Sequence, residues 1–201
     1  MALSQFQMNY KSMNFETKRT RCSLLTMDDE KDFCHLYTDK KVMRKIGPPV
    51  SYAQARRFFE RALDKNKSHE LSQKIWKIEE KGNNTFLGIL MLKWKPNIKD
   101  VAEIGIMLAP KSNQKGIANE AMGALTDYGF IKLHLKMVMA FFDKTHYATE
   151  RLVKKLGYTV IPPDKSPAVG EGKSYCFVTP EMRNFENSAE AVCNKAKYQN
   201  K

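Results

Sequence analysis

Between Val101 and Leu133 the chain reads VAEIGIMLAPKSNQKGIANEAMGALTDYGFIKL, and this stretch constrains the fold more than any other. Val101 to Leu108 is a run of β-formers that ends at Pro110 and a polar loop, Lys111 to Lys115. Beyond Gly116, the residues Ile117, Ala121, Leu125, Tyr128 and Leu133 recur at helical spacing. The stretch predicts strand, tight turn and helix in succession. Glycine has no Cβ to hold a ligand off the backbone, and the first turn of a helix offers unpaired N–H groups at the positive end of its dipole. Asn113-Gln114-Lys115-Gly116-Ile117-Ala118 is thus a candidate anion site. A single glycine before a helix is most often only a connecting turn. The loop is not a P-loop, because no glycine stands five residues before a Gly-Lys-Ser/Thr, and the three-glycine dinucleotide fingerprint is missing.

The flanking residues carry a wider likeness. Leu108-Ala109-Pro110 followed by Asn113-Gln114-Lys115-Gly116-Ile117-Ala118 resembles a motif of the GNAT superfamily of N-acetyltransferases, Gln/Arg-x-x-Gly-x-Gly/Ala after a strand that ends in an apolar-x-Pro step. Within that superfamily the chain resembles the branch containing ribosomal-protein N-terminal acetyltransferases. Asn119-Glu120-Ala121 and Ala124 to Phe130 continue as that branch does. Thr17 to Leu24 resembles its opening strand, Val42 to Gly47 the exit from its first helix, and Lys155-Leu156-Gly157-Tyr158 the close of its last helix. The resemblance implies one α/β (α+β) domain over residues 15–180. Its centre is expected to be a mixed, mostly antiparallel twisted sheet of about six to seven strands flanked by about four helices. Residues 1–14 are expected to form a flexible N-terminus and 181–201 a C-terminal tail or docking helix.

The implied reaction moves an acetyl group from acetyl-CoA to a primary amine, by direct attack in a ternary complex. Its first acceptor candidate is a protein N-terminal α-amine. A small-molecule amine (polyamine, antibiotic or amino acid) and a catalytically degraded acyl-CoA-binding module are the alternatives. The resemblance places the pyrophosphate on Asn113, Gln114, Lys115, Gly116, Ile117, Ala118 and Asn119, with Lys111 or Lys115 adding charge. Asn113 departs from the family's Gln or Arg. The pantetheine arm is expected to pair with the strand edge at Ile106, Met107 and Leu108. Glu103, a carboxylate inside an apolar strand, is the candidate general base, where burial would raise its pKa; the competing reading pairs it with a lysine across the sheet. On the last helix His146 and Thr149 stand where the family often has Asn and Ser or Ala in the cofactor site. Val153 replaces the tyrosine that serves many members as general acid, which leaves water, Thr149, Tyr147 or no acid at all.

Taken in order, Thr17 to Leu25 reads as a strand, Thr26-Met27-Asp28-Asp29 as a capped helix start, and Gly47-Pro48-Pro49 as a break. Ser51 caps a second helix, Tyr52 to about Lys65, with Ala55, Phe58, Phe59, Ala62 and Leu63 inward. Lys74 to Glu80 and Thr85 to Trp94 form a hairpin about Lys81-Gly82-Asn83-Asn84. After the organising unit come a strand, Lys136 to Phe142, a helix, His146 to Leu156, a strand, Tyr158 to Ile161, a Pro/Gly-rich connection, Pro162 to Gly172, and a closing strand, Lys173 to Thr179.

Composition limits the partners. The four cysteines lack metal-ligand spacing, so no metal site is indicated. No apolar run reaches membrane-spanning length and no signal peptide is evident, so a cytoplasmic location is expected. Thirty-four Lys+Arg against 22 Asp+Glu give +12. The charges are dispersed, without the runs or aromatic interleaving of an RNA platform, so nucleic acid is expected only indirectly, through a ribosome. A homodimer stays open.

Overall fold

A computed structural model describes residues 13–113, 115–162 and 172–183. The opening strand is interrupted. Thr17 closes a turn by donating its N–H to Thr20 O at 2.8 Å, which leaves a short β1 (Phe15–Glu16) ahead of β2 (Thr20–Leu24). Met13 lies in the core and its carbonyl accepts from Trp76 Nε1 at 2.6 Å, so Met13 and Asn14 dock with the domain. The expected ends at 1–12 and 184–201 lie outside the described residues.

Helices α1 (Glu30–Thr38), α2 (Lys40–Met43) and α3 (Tyr52–Lys67) follow. Ser51 opens α3 with a capping box to Gln54. Its far end is closed by a buried lysine: Lys74 Nζ donates to the carbonyls of Lys65 (2.8 Å), Asn66 (3.1 Å) and Ser68 (2.6 Å), satisfying groups that a helix end leaves open. The chain then forms β3 (Gln73–Glu80), β4 (Phe86–Lys95), β5 (Ile98–Leu108), α4 (Ile117–Lys132), β6 (Met137–Asp143), α5 (Tyr147–Lys155), β7 (Thr159–Ile161) and β8 (Lys173–Val178). Residues 163–171 of the expected Pro/Gly-rich connection lie outside the described residues.

One sheet holds all eight strands in the order β1-β2-β3-β4-β5-β6-β8-β7. Every neighbouring pair is antiparallel except β5 and β6, so the expected mixed, mostly antiparallel sheet is what forms, and among the described residues five α-helices accompany it. Each face has its own core. Leu90, Leu92, Ile104, Leu125, Val138 and Val153 pack between the sheet and α4 and α5, while Phe33, Phe59, Leu63, Ile75 and Ile89 pack beneath α1 and α3. Truncating any of these large side chains to alanine costs about 2–5 kcal/mol. Phe58, expected inward, is 38% exposed and meets only the edge of the packing, its ring 5.6 Å from that of Tyr37.

Helix α4 is buried nearly all round, as its apolar composition demands. Its two buried polar side chains have partners: Thr126 Oγ1 lies 2.7 Å from the Tyr158 hydroxyl, and Asp127 receives a two-pronged bond from Arg183 at 2.8 and 2.9 Å. Arg183 also donates to Leu156 O at 2.6 Å, so one guanidinium ties the segment after β8 to α4 and to the end of α5.

Candidate active site

The organising strand and helix meet where the sheet opens. β5 pairs with β4 from Ala102↔Trp94 to Leu108↔Gly88, but with β6 only at Val101↔Met137, Ala102↔Val138 and Glu103↔Met139. Beyond Glu103 the two parallel strands part, and β6 continues against β8 alone. The wedge between them exposes one edge of β5.

Backbone alternation decides which groups face that wedge. Ala109 N–H donates to Leu87 O at 2.9 Å, so Ala109 faces β4; two residues back, Met107 is the partner of Ile89 and turns its peptide groups to β4 as well. Ile106 and Leu108 therefore direct their N–H and C=O groups away from β4, into the opening. Of the three expected strand residues, these two offer free backbone. Met107 instead lays its side chain against the core under α1 and α3. Gly88 permits this register, because a Cβ there would lie 2.2 Å from Met107 O.

At the end of β5, Pro110–Ser112 forms a 3₁₀ turn and Gly116 caps α4 with φ +75°, a left-handed conformation that suits glycine. Ile117, Ala118 and Asn119 supply the first three helical N–H groups, while Lys111 and Lys115 are exposed beside them. Asn113 precedes the loop with extended backbone; Gln114 lies outside the described residues. Among the described residues, the buried Ser112 Oγ and Asn119 Oδ1 have no hydrogen-bond partner. The helix start thus offers backbone donors with positive charge beside them, which suits a phosphate group.

Glu103 points to the opposite face from Ile104 and Ile106, the side of α1 and α3. It is not sealed in an apolar strand: its side chain is 26% exposed, and its Oε2 stands 3.6 Å from Lys95 Nζ on β4. The burial expected from the apolar neighbours fails because Val101, Gly105 and Met107 share its half-open face. Lys95 also lies 4.8 Å over the ring of Phe141, which begins a half-buried ladder through Tyr175 (5.5 Å) and Phe177 (5.8 Å). At the mouth of the wedge, Asp143 accepts from the hydroxyl and N–H of Thr145, and Lys45 binds Thr145 Oγ1 at 2.5 Å. Hydrogen bonds to Thr145 hold the Asp143 carboxyl below its usual range.

On the other wall His146 caps α5, its Nδ1 accepting from Thr149 N at 3.2 Å. That bond needs a neutral ring with the proton on Nε2. Thr149 is half-buried one turn inside. Val153 is fully buried in the core and faces no opening, whereas Tyr147 is 65% exposed. Among the described residues, no group of three His, Cys, Asp or Glu side chains gathers as a metal site, and no helix is long and apolar enough to cross a membrane.

A strand edge opened by a parting neighbour stands beside backbone donors at a glycine-capped helix, an arrangement in an α/β protein whose chemistry suits an extended, phosphate-bearing ligand. The profile of the acetyltransferase (GNAT) domain family matches residues 19–159, and the chain belongs to that family. It is accordingly an acetyltransferase whose acyl donor is acetyl-CoA. Uncharacterized protein YkkB from Bacillus subtilis is 30% identical over 173 residues, 81% of this chain and 99% of that one. Spermidine N(1)-acetyltransferase from Escherichia coli is 28% identical over 92 residues, 46% of this chain and 48% of that enzyme. Spermidine N-acetyltransferase from Vibrio cholerae, solved with CoA and spermine, has the same fold, with a TM-score of 0.68 over 81% of this chain and 96% of that one, at 15% identity.

Arg19 and Glu120 are polar groups at this loop that sequence reasoning missed as a pair. Glu120 stands in the quoted motif and Arg19 in the opening strand, but their contact joins residues 101 apart in the chain.

Proposed function

We propose that the chain acetylates a protein N-terminal α-amine, with acetyl-CoA and the amine bound together. The observation that carries this reading is the parting of β5 from β6 beside Gly116. The pyrophosphate would sit on the N–H groups of residues 113–119, and the pantetheine arm would pair with Ile106 and Leu108 as an added strand. An outward N–H of the same edge would receive the thioester oxygen as it gains charge. Glu103 would take a proton from the attacking nitrogen, directly or through one water. An α-amine, with a reference pKa near 8 against about 10.4 for lysine, asks less of such a base. The departing thiolate, of ordinary thiol pKa about 8.5, leaves without a tyrosine acid, which suits a valine at position 153. His146 and Thr149 form the facing wall against the cofactor, and residues 15–180, joined by Met13 and Asn14, make up the catalytic unit.

Charge distinguishes the acceptors. A polyamine needs several carboxylates to receive its ammonium groups. Two carboxylates near the wedge already have lysines: Glu103 has Lys95 at 3.6 Å and Asp143 has Lys45 at 3.8 Å. The aromatic ladder beside them suits a peptide better than a polycation. The likeness to spermidine acetyltransferases favours the second reading, a polyamine acceptor. Release of free CoA thiol, followed with acetyl-CoA and either short peptides of varied N-terminus or spermidine, decides between them. Faster turnover with peptides supports the first reading; faster turnover with spermidine assigns the polyamine.

A further inference from the structure

The connection between β1 and β2 reaches across to the start of α4. Arg19 Nε donates to Glu120 Oε2 at 2.6 Å, the Arg19 backbone N–H to Oε1 at 2.7 Å, and Arg19 Nη1 to the Lys115 carbonyl at 2.8 Å. The Thr17 hydroxyl donates to the same Oε1. Glu120 is only 5% exposed, so both of its oxygens are drawn into this cluster. Arg19 Nη2 lies 3.4 Å from the point where a Cβ on Gly116 would stand, which places the guanidinium against the loop itself.

Two consequences bear on an anion at this loop. A carboxylate in the first turn of α4 is a like charge beside any phosphate bound there, and such repulsion is felt more strongly in a partly buried place than in water. Arg19 cancels that charge and turns it toward β2. A trans peptide also sets its C=O and the following N–H on opposite sides. With the Lys115 carbonyl held by Arg19, the Gly116 N–H must point away from the guanidinium.

We propose that Arg19 is a positioning residue for the donor's pyrophosphate: it neutralises Glu120 and fixes the Lys115–Gly116 peptide so that the loop presents donors to the phosphates. This rests on the reading of the loop given above. A plain structural staple would give the same contacts, but it would not make anion affinity depend on the Glu120 charge once Arg19 is gone.

The test is calorimetric titration of the full chain with CoA, comparing the parent protein with Arg19→Met, Arg19→Lys and the double variant Arg19→Met/Glu120→Gln, with thermal melting in parallel. Arg19→Met is expected to weaken CoA binding by about tenfold, the scale of one charge-assisted hydrogen bond. The double variant is expected to recover most of that loss, because no bare carboxylate then faces the phosphates. Arg19→Lys keeps charge without the fork and is expected to fall between parent and Arg19→Met, which keeps the test decisive if Arg19→Met does not fold. Unchanged affinity in Arg19→Met, or in Arg19→Lys where that variant must stand in, overturns the proposal, as does a double variant no better than the single one. Absence of CoA binding by the parent protein overturns the reading of the loop, and this proposal with it.

Discussion

Glu103 Oε2 and Lys95 Nζ stand 3.6 Å apart on adjacent strands, on the sheet face that α1 and α3 share with the opening between β5 and β6. Lys95 is anchored a second time over Phe141, so the carboxylate has a fixed neighbour. Replacing Glu103 by glutamine preserves shape and removes the base. Turnover should fall by about a hundredfold or more, in the range of a general base, while acetyl-CoA affinity stays near that of the parent. Steady-state rates alongside titration check this; a loss of affinity with intact turnover would move Glu103 from chemistry to donor binding.

Gly116→Val should impair the loop. The space is open, since the nearest atom to a Cβ is Arg19 Nη2 at 3.4 Å, so strain comes from φ +75° alone. A left-handed residue with a branched side chain costs about 1–2 kcal/mol. Titration with CoA should show at least about a tenfold weaker complex, as donors move off their positions.

Much of this was legible before any coordinates. Gly116 announced itself because a left-handed helix cap needs glycine, and Ser51 because a hydroxyl before a helix satisfies free amides. The parting of β5 from β6 was not legible, since pairing and its end are set by register between distant strands. For the same reason the choice of Ile106 and Leu108 over Met107 needed the Ala109 to Leu87 bond. The burial of Lys74 was not legible either, because it depends on three carbonyls of the α3 end that meet its ammonium group only in the fold. Phe58 misleads, standing at helical spacing with Ala55 and Ala62 but on the rim of that face.

Acid should expose the Glu120 cluster. Burial alone would raise this carboxyl, but the Thr17 hydroxyl and the Arg19 N–H and guanidinium outweigh it and hold its pKa below the ordinary 4.5. A carboxyl depressed in the folded state adds stability that is present above its unfolded value and lost as pH falls through the folded one. Thermal melting from pH 6 downward should show stability declining below about 4.5, and Glu120→Gln should flatten that part of the curve. An identical acid profile in the variant would contradict the assignment.

Arg183→Leu should be costly. It leaves the Asp127 carboxylate, 1% exposed, without its guanidinium, a loss of about 3–5 kcal/mol. Adding Asp127→Leu should return part of that stability, because the buried charge goes too. Denaturant unfolding of the three variants measures both effects.

Val153→Tyr tests the missing acid. Val153 is fully buried, so a phenol there must push into the core and should cost about 1–3 kcal/mol. Turnover is not expected to rise. A faster enzyme would show that thiolate departure is limiting and that the side chain reaches the wedge.

If the edge of β5 and the loop at Gly116 hold the acyl donor, binding must depend on Gly116. Titration of the folded protein with acetyl-CoA, beside free ATP and Gly116→Val, tests it most directly. Micromolar binding of acetyl-CoA by the parent chain, weaker binding of ATP and a complex weakened in the variant are the expected results. No heat of binding from a protein shown to be folded, or equal affinity in Gly116→Val, would contradict that placement of the donor.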